Sequence, residues 1–342
     1  EKYNKTLENN GGKVLQNTMV KKVVWQNQTG EDDPGKGTKN ERVAKGIIFK
    51  ERGKESSEAR AEVVIGAGGY NCPVARELVI DTFEEEYQER THWSSAFREY
   101  YTDVKGCKPE NGEMEIHFVK GVLPGYFWIF PAGDGLINVG TGMLLSEMDK
   151  QKVNIKKLHY KIIQEHPMFK ERFKDSKVVE GTGKGWMLPL GSPRKKQDNQ
   201  PRRSAGNRVL LVGDAASLID PFTGEGIGNA MVSAKLASEV TDEIMNGKDA
   251  VEAGEEFMQK YHELGALAPR DVVSRAIHTE MINESTDCMF LDISHKSSDW
   301  LQHRFPTIFN HCLSKGLNLS KQPVPVVPAA HYSCGGVGVN LV

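Results

Sequence analysis

At 342 residues the chain is long enough for one large or two moderate domains with a substantial core. Its 44 Lys plus Arg against 46 Asp plus Glu leave a net charge of −2, so no global field recruits nucleic acid or an anionic membrane. Five scattered cysteines (Cys72, Cys107, Cys288, Cys312, Cys334) without a Cys-x-x-Cys pair argue against zinc and against a disulfide framework, and no apolar run is long enough to span a bilayer.

In chain order, residues Tyr3 to Asn9 are predicted helical and end at Gly11-Gly12. The chain opens inside that helix without an initiator Met and reads as a fragment. Val14 to Trp25 and Arg42 to Lys50 alternate as strands, with a polar hairpin loop from Gln26 to Asn40. Glu62 to Gly69 is a buried strand running into glycines, and Pro73 to Leu78 is a helix with proline at a tolerated early position. His92 to Gly106, Glu113 to Val119, Tyr126 to Pro131 and Gly135 to Leu144 are sheet; Val153 to Phe173 is amphipathic helix interrupted at Pro167. A polar loop from Gly191 to Asn207 precedes the apolar run Val209 to Val212 and a helix from Asn229 to Ile244. From about His262 the character changes, with a helix from Asp271 to Ile282 and a tail rich in Pro and Gly.

The most informative stretch is Val209-Leu210-Leu211-Val212-Gly213-Asp214-Ala215-Ala216, followed by Pro221-Phe222-Thr223-Gly224-Glu225-Gly226-Ile227-Gly228. A carboxylate at a strand end can bind sugar-like hydroxyls, glycines let backbone N–H groups approach a ligand, and a helix N-terminus favours an anion. That combination suits the ribityl and phosphate part of a flavin. The plainer alternative is a strand–turn–helix crossover whose glycines only permit tight packing. The pattern resembles the second FAD motif of the aromatic-hydroxylase-like flavoproteins. The resemblance implies that Asp214 holds the ribitol, that the backbone at Gly213, Gly224, Gly226 and Ile227 lines the cofactor, and that Pro221 lies near its ring.

Ile65-Gly66-Ala67-Gly68-Gly69-Tyr70-Asn71-Cys72-Pro73-Val74-Ala75-Arg76 resembles the companion motif of the same flavoproteins, matching at Gly66, Ala67, Gly69, Val74 and Arg76. It departs at Gly68, where the family has Asp, and at Cys72, where most members have Ser. A strand ending in a flexible turn is the alternative. Farther on, Tyr126, Trp128 and Phe130 alternate within Tyr126-Phe127-Trp128-Ile129-Phe130-Pro131 and so share one face of a strand. With Val139-Gly140-Thr141-Gly142 they resemble the geranylgeranyl reductase family, over the chain up to about Tyr261. The resemblance implies that the three rings line an isoprenoid chain. Arg194 to Arg203 form a basic loop that could meet a diphosphate or lipid headgroup; a solvated loop is the plainer reading.

Leu267-Ala268-Pro269-Arg270-Asp271, Asp287-Cys288-Met289-Phe290-Leu291-Asp292 and Pro328-Ala329-Ala330-His331-Tyr332 look closely like L-aspartate oxidase. That resemblance implies that Arg270 handles the proton at the substrate carbon and that His331 binds a substrate carboxylate.

The expected fold is α/β (α+β), a partial FAD-binding domain with a mixed or antiparallel substrate-domain sheet; the Gly-x-Gly-x-x-Gly βαβ unit that holds the ADP half of FAD is not found. The expected divisions are 1–90 and 191–261 for the FAD-binding part, 91–190 for the substrate part and 262–342 for the aspartate-oxidase-like part. The expected activity is reduction of isoprenoid C=C bonds with FAD, and NADPH or another donor as the electron source. The alternatives are oxidation of L-aspartate to iminoaspartate and a truncated or fused flavoprotein without activity. A small-molecule or prenyl-lipid substrate, no nucleic acid, no metal, and a cytoplasmic location with room for peripheral membrane contact complete the expectations.

Overall fold

The computed structural model describes residues 2–27, 42–107, 114–191, 194, 202–221, 224–263 and 288–291. The chain divides into two compact units: residues 1–87, 202–218 and 226–261, and residues 88–201, 219–225 and 262–342.

The first unit opens with α1 (Lys2–Asn9) and a three-stranded antiparallel sheet of β1 (Thr18–Gln26), β2 (Val43–Glu51) and β3 (Ser56–Arg60). β3 is exposed at every position and carries no apolar alternation, so the sequence pattern does not announce it. β1 buries Val23 and Trp25, and the carboxylate of Glu77 accepts from the Val23 N–H (3.0 Å) and the Trp25 indole N–H (3.1 Å). Glu77 lies on α2 (Pro73–Glu77), which continues as one π-turn over Leu78–Thr82.

A second small sheet joins β4 (Val64–Gly66), β11 (Ala205–Gly206) and β12 (Val209–Leu211) in the order β11-β12-β4. β4 and β12 run parallel, with Val64 opposite Val209 and Gly66 opposite Leu211. The strand expected from Glu62 is thus only three residues long. All of β12 is buried, as a strand covered on both faces requires. It packs through Leu210 into a core shared with Ala237, Val240 and Ile244 of α6 (Ile227–Met245) and Ala253 and Phe257 of α7 (Ala250–Glu263). α6 begins two residues before the predicted start. α7 was not predicted, although its start has a local signal: the Asp249 carboxylate accepts from the backbone N–H groups of Val251 and Glu252, both at 3.0 Å.

The second unit is built on an antiparallel sheet of β5 (Trp93–Thr102), β6 (Glu115–Val119), β7 (Gly125–Gly133), β8 (Leu136–Leu144), β10 (Lys184–Pro189) and β13 (Cys288–Leu291), in the order β10-β5-β8-β7-β6-β13. The short β9 (Lys177–Val178) pairs with β5 beside it. β13 comes from the aspartate-oxidase-like part and pairs antiparallel with β6. α3 (Leu145–Gln151), α4 (Ile155–Glu165) and α5 (Pro167–Phe173) follow β8, with the predicted break at Pro167 falling between α4 and α5.

One side of this sheet packs on α4 and α5. Phe127, Ile129, Ile137 and Val139 meet Ile162, Ile163, Phe169 and Phe173 there, all buried. Two polar clusters sit in this apolar layer. Glu115 receives a two-pronged guanidinium contact from Arg172 (2.6 and 2.7 Å) and lies 2.8 Å from His117 Nε2. Burial pushes its carboxyl up, but Arg172 and His117 outweigh burial and bring it down to about 2. Fully buried His159 lies 3.0 Å from the Thr141 hydroxyl, and Tyr101 and Tyr160 both donate to Glu99 (3.1 and 2.9 Å). Burial lowers His159 to about 4.

Candidate functional site

Two sets of predicted residues are assembled, one in each unit. In the first unit, the parallel strands β4 and β12 end side by side, joined by the Val212 N–H donating to the Gly66 carbonyl (3.1 Å). Each runs into a tight turn, Gly69–Asn71 after β4 and Gly213–Ala216 after β12, and the two turns lie against one another. Open parallel sheets bind ligands outside the carboxyl ends of their strands, which is where these turns sit.

The turns are made possible by backbone geometry. Gly69 has φ of +69° with open space where a Cβ would lie. Gly213 has φ of +57°, and a Cβ there would stand 3.0 Å from the Ala230 methyl on α6. Ser233, one turn farther along α6, accepts the Gly213 N–H through its hydroxyl (3.0 Å) and donates to the Asn229 carbonyl (2.8 Å). Sequence reading missed Ser233; a small polar residue on an otherwise apolar helix face is its only signal. Gly66 permits close packing instead, because Leu211 and Val74 fill the space beside it, at 2.7 and 3.1 Å from a Cβ position.

Asp214 stands in the second turn, half-buried. Among the described residues no group donates a hydrogen bond to its carboxylate, and burial holds its carboxyl above the usual aspartate range. A half-buried acceptor flanked by positive-φ glycine turns fits a polyhydroxyl ligand such as the ribityl chain of FAD, whose O–H groups are donors. Gly226 caps α6, and Ile227 at its first turn is 78% exposed. Arg76 is exposed, reaching Asn71 Oδ1 (3.4 Å) and standing 5.4 Å from the Tyr87 ring.

The segment Ile219–Glu225, with Pro221 and Gly224, belongs to the second unit. The Gly224 N–H donates to the Asp220 carbonyl (2.9 Å), and a Cβ on Gly224 (φ +73°) would stand 2.8 Å from the Tyr126 hydroxyl. Burial, reinforced by Asp220, raises Tyr126 well above the usual tyrosine value, so its hydroxyl keeps its proton. Tyr126, Trp128 and Phe130 follow as a half-buried stripe, with ring centroids 5.8 and 6.1 Å apart. Trp128 lies over Gly140, where a Cβ would come within 2.1 Å of the indole, and its N–H donates to Asn138 Oδ1 (3.0 Å). Asn138 was not singled out from the sequence. Its role depends on β7–β8 pairing, which places Phe130 opposite Asn138 and Trp128 opposite Gly140.

Of the basic loop, Arg194, Arg202 and Arg203 are among the described residues. Arg194 is 1% exposed and lies 3.4 Å from Glu89. Arg202 is buried and donates to the carbonyls of Glu86 and Tyr87 (2.7 and 2.8 Å). Arg203 pairs with Glu85 (2.7 Å). Arg194 and Arg202 are buried against neighbouring loops, whereas Arg203 is exposed. Arg270 and His331 lie outside the described residues.

Two family models match separate parts of the chain. Residues 93–185 match the family model of the geranylgeranyl reductase catalytic domain. The aromatic strand β7 lies within that match. Residues 249–342 match the family model of an FAD binding domain. The same C-terminal part is similar to L-aspartate oxidases. The Vibrio cholerae protein is 52% identical over 87 residues, which cover 25% of this chain and 16% of that protein. The chloroplastic Arabidopsis thaliana protein is 48% identical over 87 residues, covering 25% and 13%. The chain therefore spans about a sixth of the length of the Vibrio relative. Among solved structures, a geranylgeranyl bacteriochlorophyll reductase-like protein from Thermoplasma acidophilum aligns with a TM-score of 0.62 at 21% identity, over 87% of this chain and 69% of that one. A flavin-dependent brominase aligns at 0.56 and 15%, over 87% and 70%. These likenesses show a mixed α/β fold, and the match to an FAD binding domain indicates FAD as the cofactor. Among the described residues no helix is long and apolar enough to cross a membrane.

Proposed function

We propose that the chain is the substrate-binding and partial cofactor-binding portion of a reductase that saturates isoprenoid C=C bonds with FAD. The observation that carries this reading is the stripe of Tyr126, Trp128 and Phe130 laid along a strand of the matched catalytic domain, with Trp128 seated over Gly140. A long hydrocarbon needs flat apolar wall and few hydrogen bonds, and half-buried rings supply that wall. Asn138 fixes the Trp128 indole edge, so the wall is held in one orientation.

Asp214 would hold the ribityl hydroxyls, with the backbone of the Gly213 and Gly69 turns beside it. FAD supplies the hydride chemistry when bound. The residues of this chain bind and orient: Asp214 accepts from donors, the ring stripe excludes water, and Tyr126 keeps its proton as a hydrogen-bond donor.

The purified chain is incubated with FAD, passed through gel filtration and examined by visible absorbance. Retention of flavin colour by the chain, and its loss in Asp214→Ala, is the expected result. With chemically reduced flavin, a polyprenyl substrate should gain two hydrogens per double bond by mass spectrometry. A colourless wild-type protein, or flavin-loaded protein that leaves every prenyl substrate unchanged, rejects the proposal.

A second reading rests on the 52% identity of the C-terminal part to L-aspartate oxidase. It predicts hydrogen peroxide release from L-aspartate, abolished by Arg270→Ala; peroxide release without any prenyl reduction would place it first.

A further inference from the structure

Tyr87 and Arg202, which lie outside both glycine motifs, join the two turns of the candidate cofactor site through a path of hydrogen bonds. The Tyr87 hydroxyl donates to the Tyr70 carbonyl, within the Gly69–Asn71 turn (3.0 Å). The Tyr87 carbonyl in turn accepts from Arg202 Nη2 (2.8 Å), which also reaches the Glu86 carbonyl (2.7 Å). Arg202 Nη1 donates to the Ser217 hydroxyl (3.2 Å). Ser217 closes the Gly213–Ala216 turn at φ of +58°, and its N–H donates to the Asp214 carbonyl (3.0 Å). The path therefore starts inside one turn and ends one hydrogen bond from Asp214 in the other.

The chemistry of this path suits a rigid connection. Tyr87, Arg202 and Ser217 are all buried, where water does not compete for their hydrogen bonds. Burial, reinforced by Cys72, pushes the Tyr87 phenol up to about 12, so its hydroxyl keeps its proton and remains a donor at neutral pH. Arg202 is permanently charged, and its planar fork fixes the direction in which each nitrogen donates. The Arg76 and Arg202 guanidiniums each stand 5.4 Å from the Tyr87 ring centre, so the ring is held as well as its hydroxyl. Asn229 and Ser233 anchor the second turn separately to α6, through the Leu218 carbonyl (2.7 Å) and the Gly213 N–H (3.0 Å).

We infer that Tyr87 and Arg202 form a strut that sets the spacing of the two turns, and that both are positioning residues for FAD held between them. This rests on the reading of Asp214 and the Gly69 and Gly213 turns as the ribityl site. A ligand that touches two turns binds most tightly when their separation is fixed before it arrives, because ordering them on binding costs affinity.

Titration of the intact chain with FAD, followed by flavin fluorescence, tests the strut in Tyr87→Phe and Ser217→Ala. Each substitution removes one oxygen atom and one link, and leaves the buried Arg202 in place. Either variant should bind FAD about fivefold more weakly, the factor expected for one lost hydrogen bond. Because the links act in series, the double variant should also lose about fivefold, where independent effects would give about twenty-fivefold. Val240→Ala, on the buried face of α6 two turns beyond Ser233, is the stability control. It should lower the urea midpoint yet keep wild-type FAD affinity, since a chain that stays folded binds as before. Single variants with unchanged FAD affinity, fully multiplicative losses, or an equal loss in Val240→Ala would each overturn the strut. If those results come while Asp214→Ala still abolishes binding, the ribityl reading stands without it. A wild-type chain that binds no FAD removes the ribityl reading and the strut together.

Discussion

The two candidate regions are built from different materials. At the carboxyl ends of β4 and β12 the site is made of backbone: positive-φ glycines at 69 and 213, a serine hydroxyl that fixes the Gly213 N–H, and one carboxylate, Asp214. On the antiparallel sheet it is made of side chains: three half-buried rings and an amide that pins one of them. Backbone sites tolerate almost no change at the turn but leave the surrounding side chains free. Side-chain sites have the reverse sensitivity, because the sheet itself is secured from its other face.

That contrast is sharpest at two neighbouring residues of β7. Phe127 is fully buried against Phe169 and Phe173, and Phe127→Ala should cost about 3–5 kcal/mol in urea unfolding. Trp128→Ala, one residue along and half-buried, should cost only about 1 kcal/mol while removing prenyl-chain binding. Equal losses would mean that the aromatic face is simply more core.

Acid should strike the helix-packed face first. Burial lowers His159 to about 4 from an ordinary 6.5, so the unfolded chain takes up this proton before the folded one does. Its contribution is complete above about pH 6.5 and declines as the pH falls towards 4, by about 3 kcal/mol at most. His159→Gln should flatten that part of the stability–pH curve, measured by chemical denaturation at each pH. An unchanged slope would remove His159 from the acid response.

The backbone site should be sensitive at smaller scale. Gly213→Val places a branched side chain at φ +57° against the Ala230 methyl and should destabilise by about 2 kcal/mol. Ser233→Ala leaves the Gly213 N–H without its partner, for about 1 kcal/mol. Both are read by thermal or urea unfolding, and a Gly213→Val protein as stable as wild type would show that the turn is not constrained.

The backbone site was legible in the sequence because its requirements are local. A β-branched run, Gly-Asp and a glycine-rich turn within some twenty residues specify strand, turn and helix together, and the structure places β12, the Gly213 turn and α6 in that order. The ring stripe was legible for the same reason, since alternation along one strand puts Tyr126, Trp128 and Phe130 on one face. Elements without local contrast were missed, such as the wholly exposed β3 and the β10 strand that brings Lys184 to Arg98. The partners of Arg194, Arg202 and Arg203 were not legible because charge along a chain does not reveal them: Glu85, Glu86, Tyr87 and Glu89 lie more than a hundred residues before the arginines they engage.

From sequence alone came the flavoprotein character, the strand that ends in Asp214 and the aromatic face of β7, all carried by periodicity and short-range spacing. Tertiary structure alone decided which groups engage Arg194, Arg202 and Arg203, that Gly66 packs while Gly69 stays open, and that Lys184, Arg98, Gly140 and Trp128 form one line. The physical reason is that cross-strand register joins residues from distant parts of the chain. A single-residue shift in that register would turn each of these side chains to the other face.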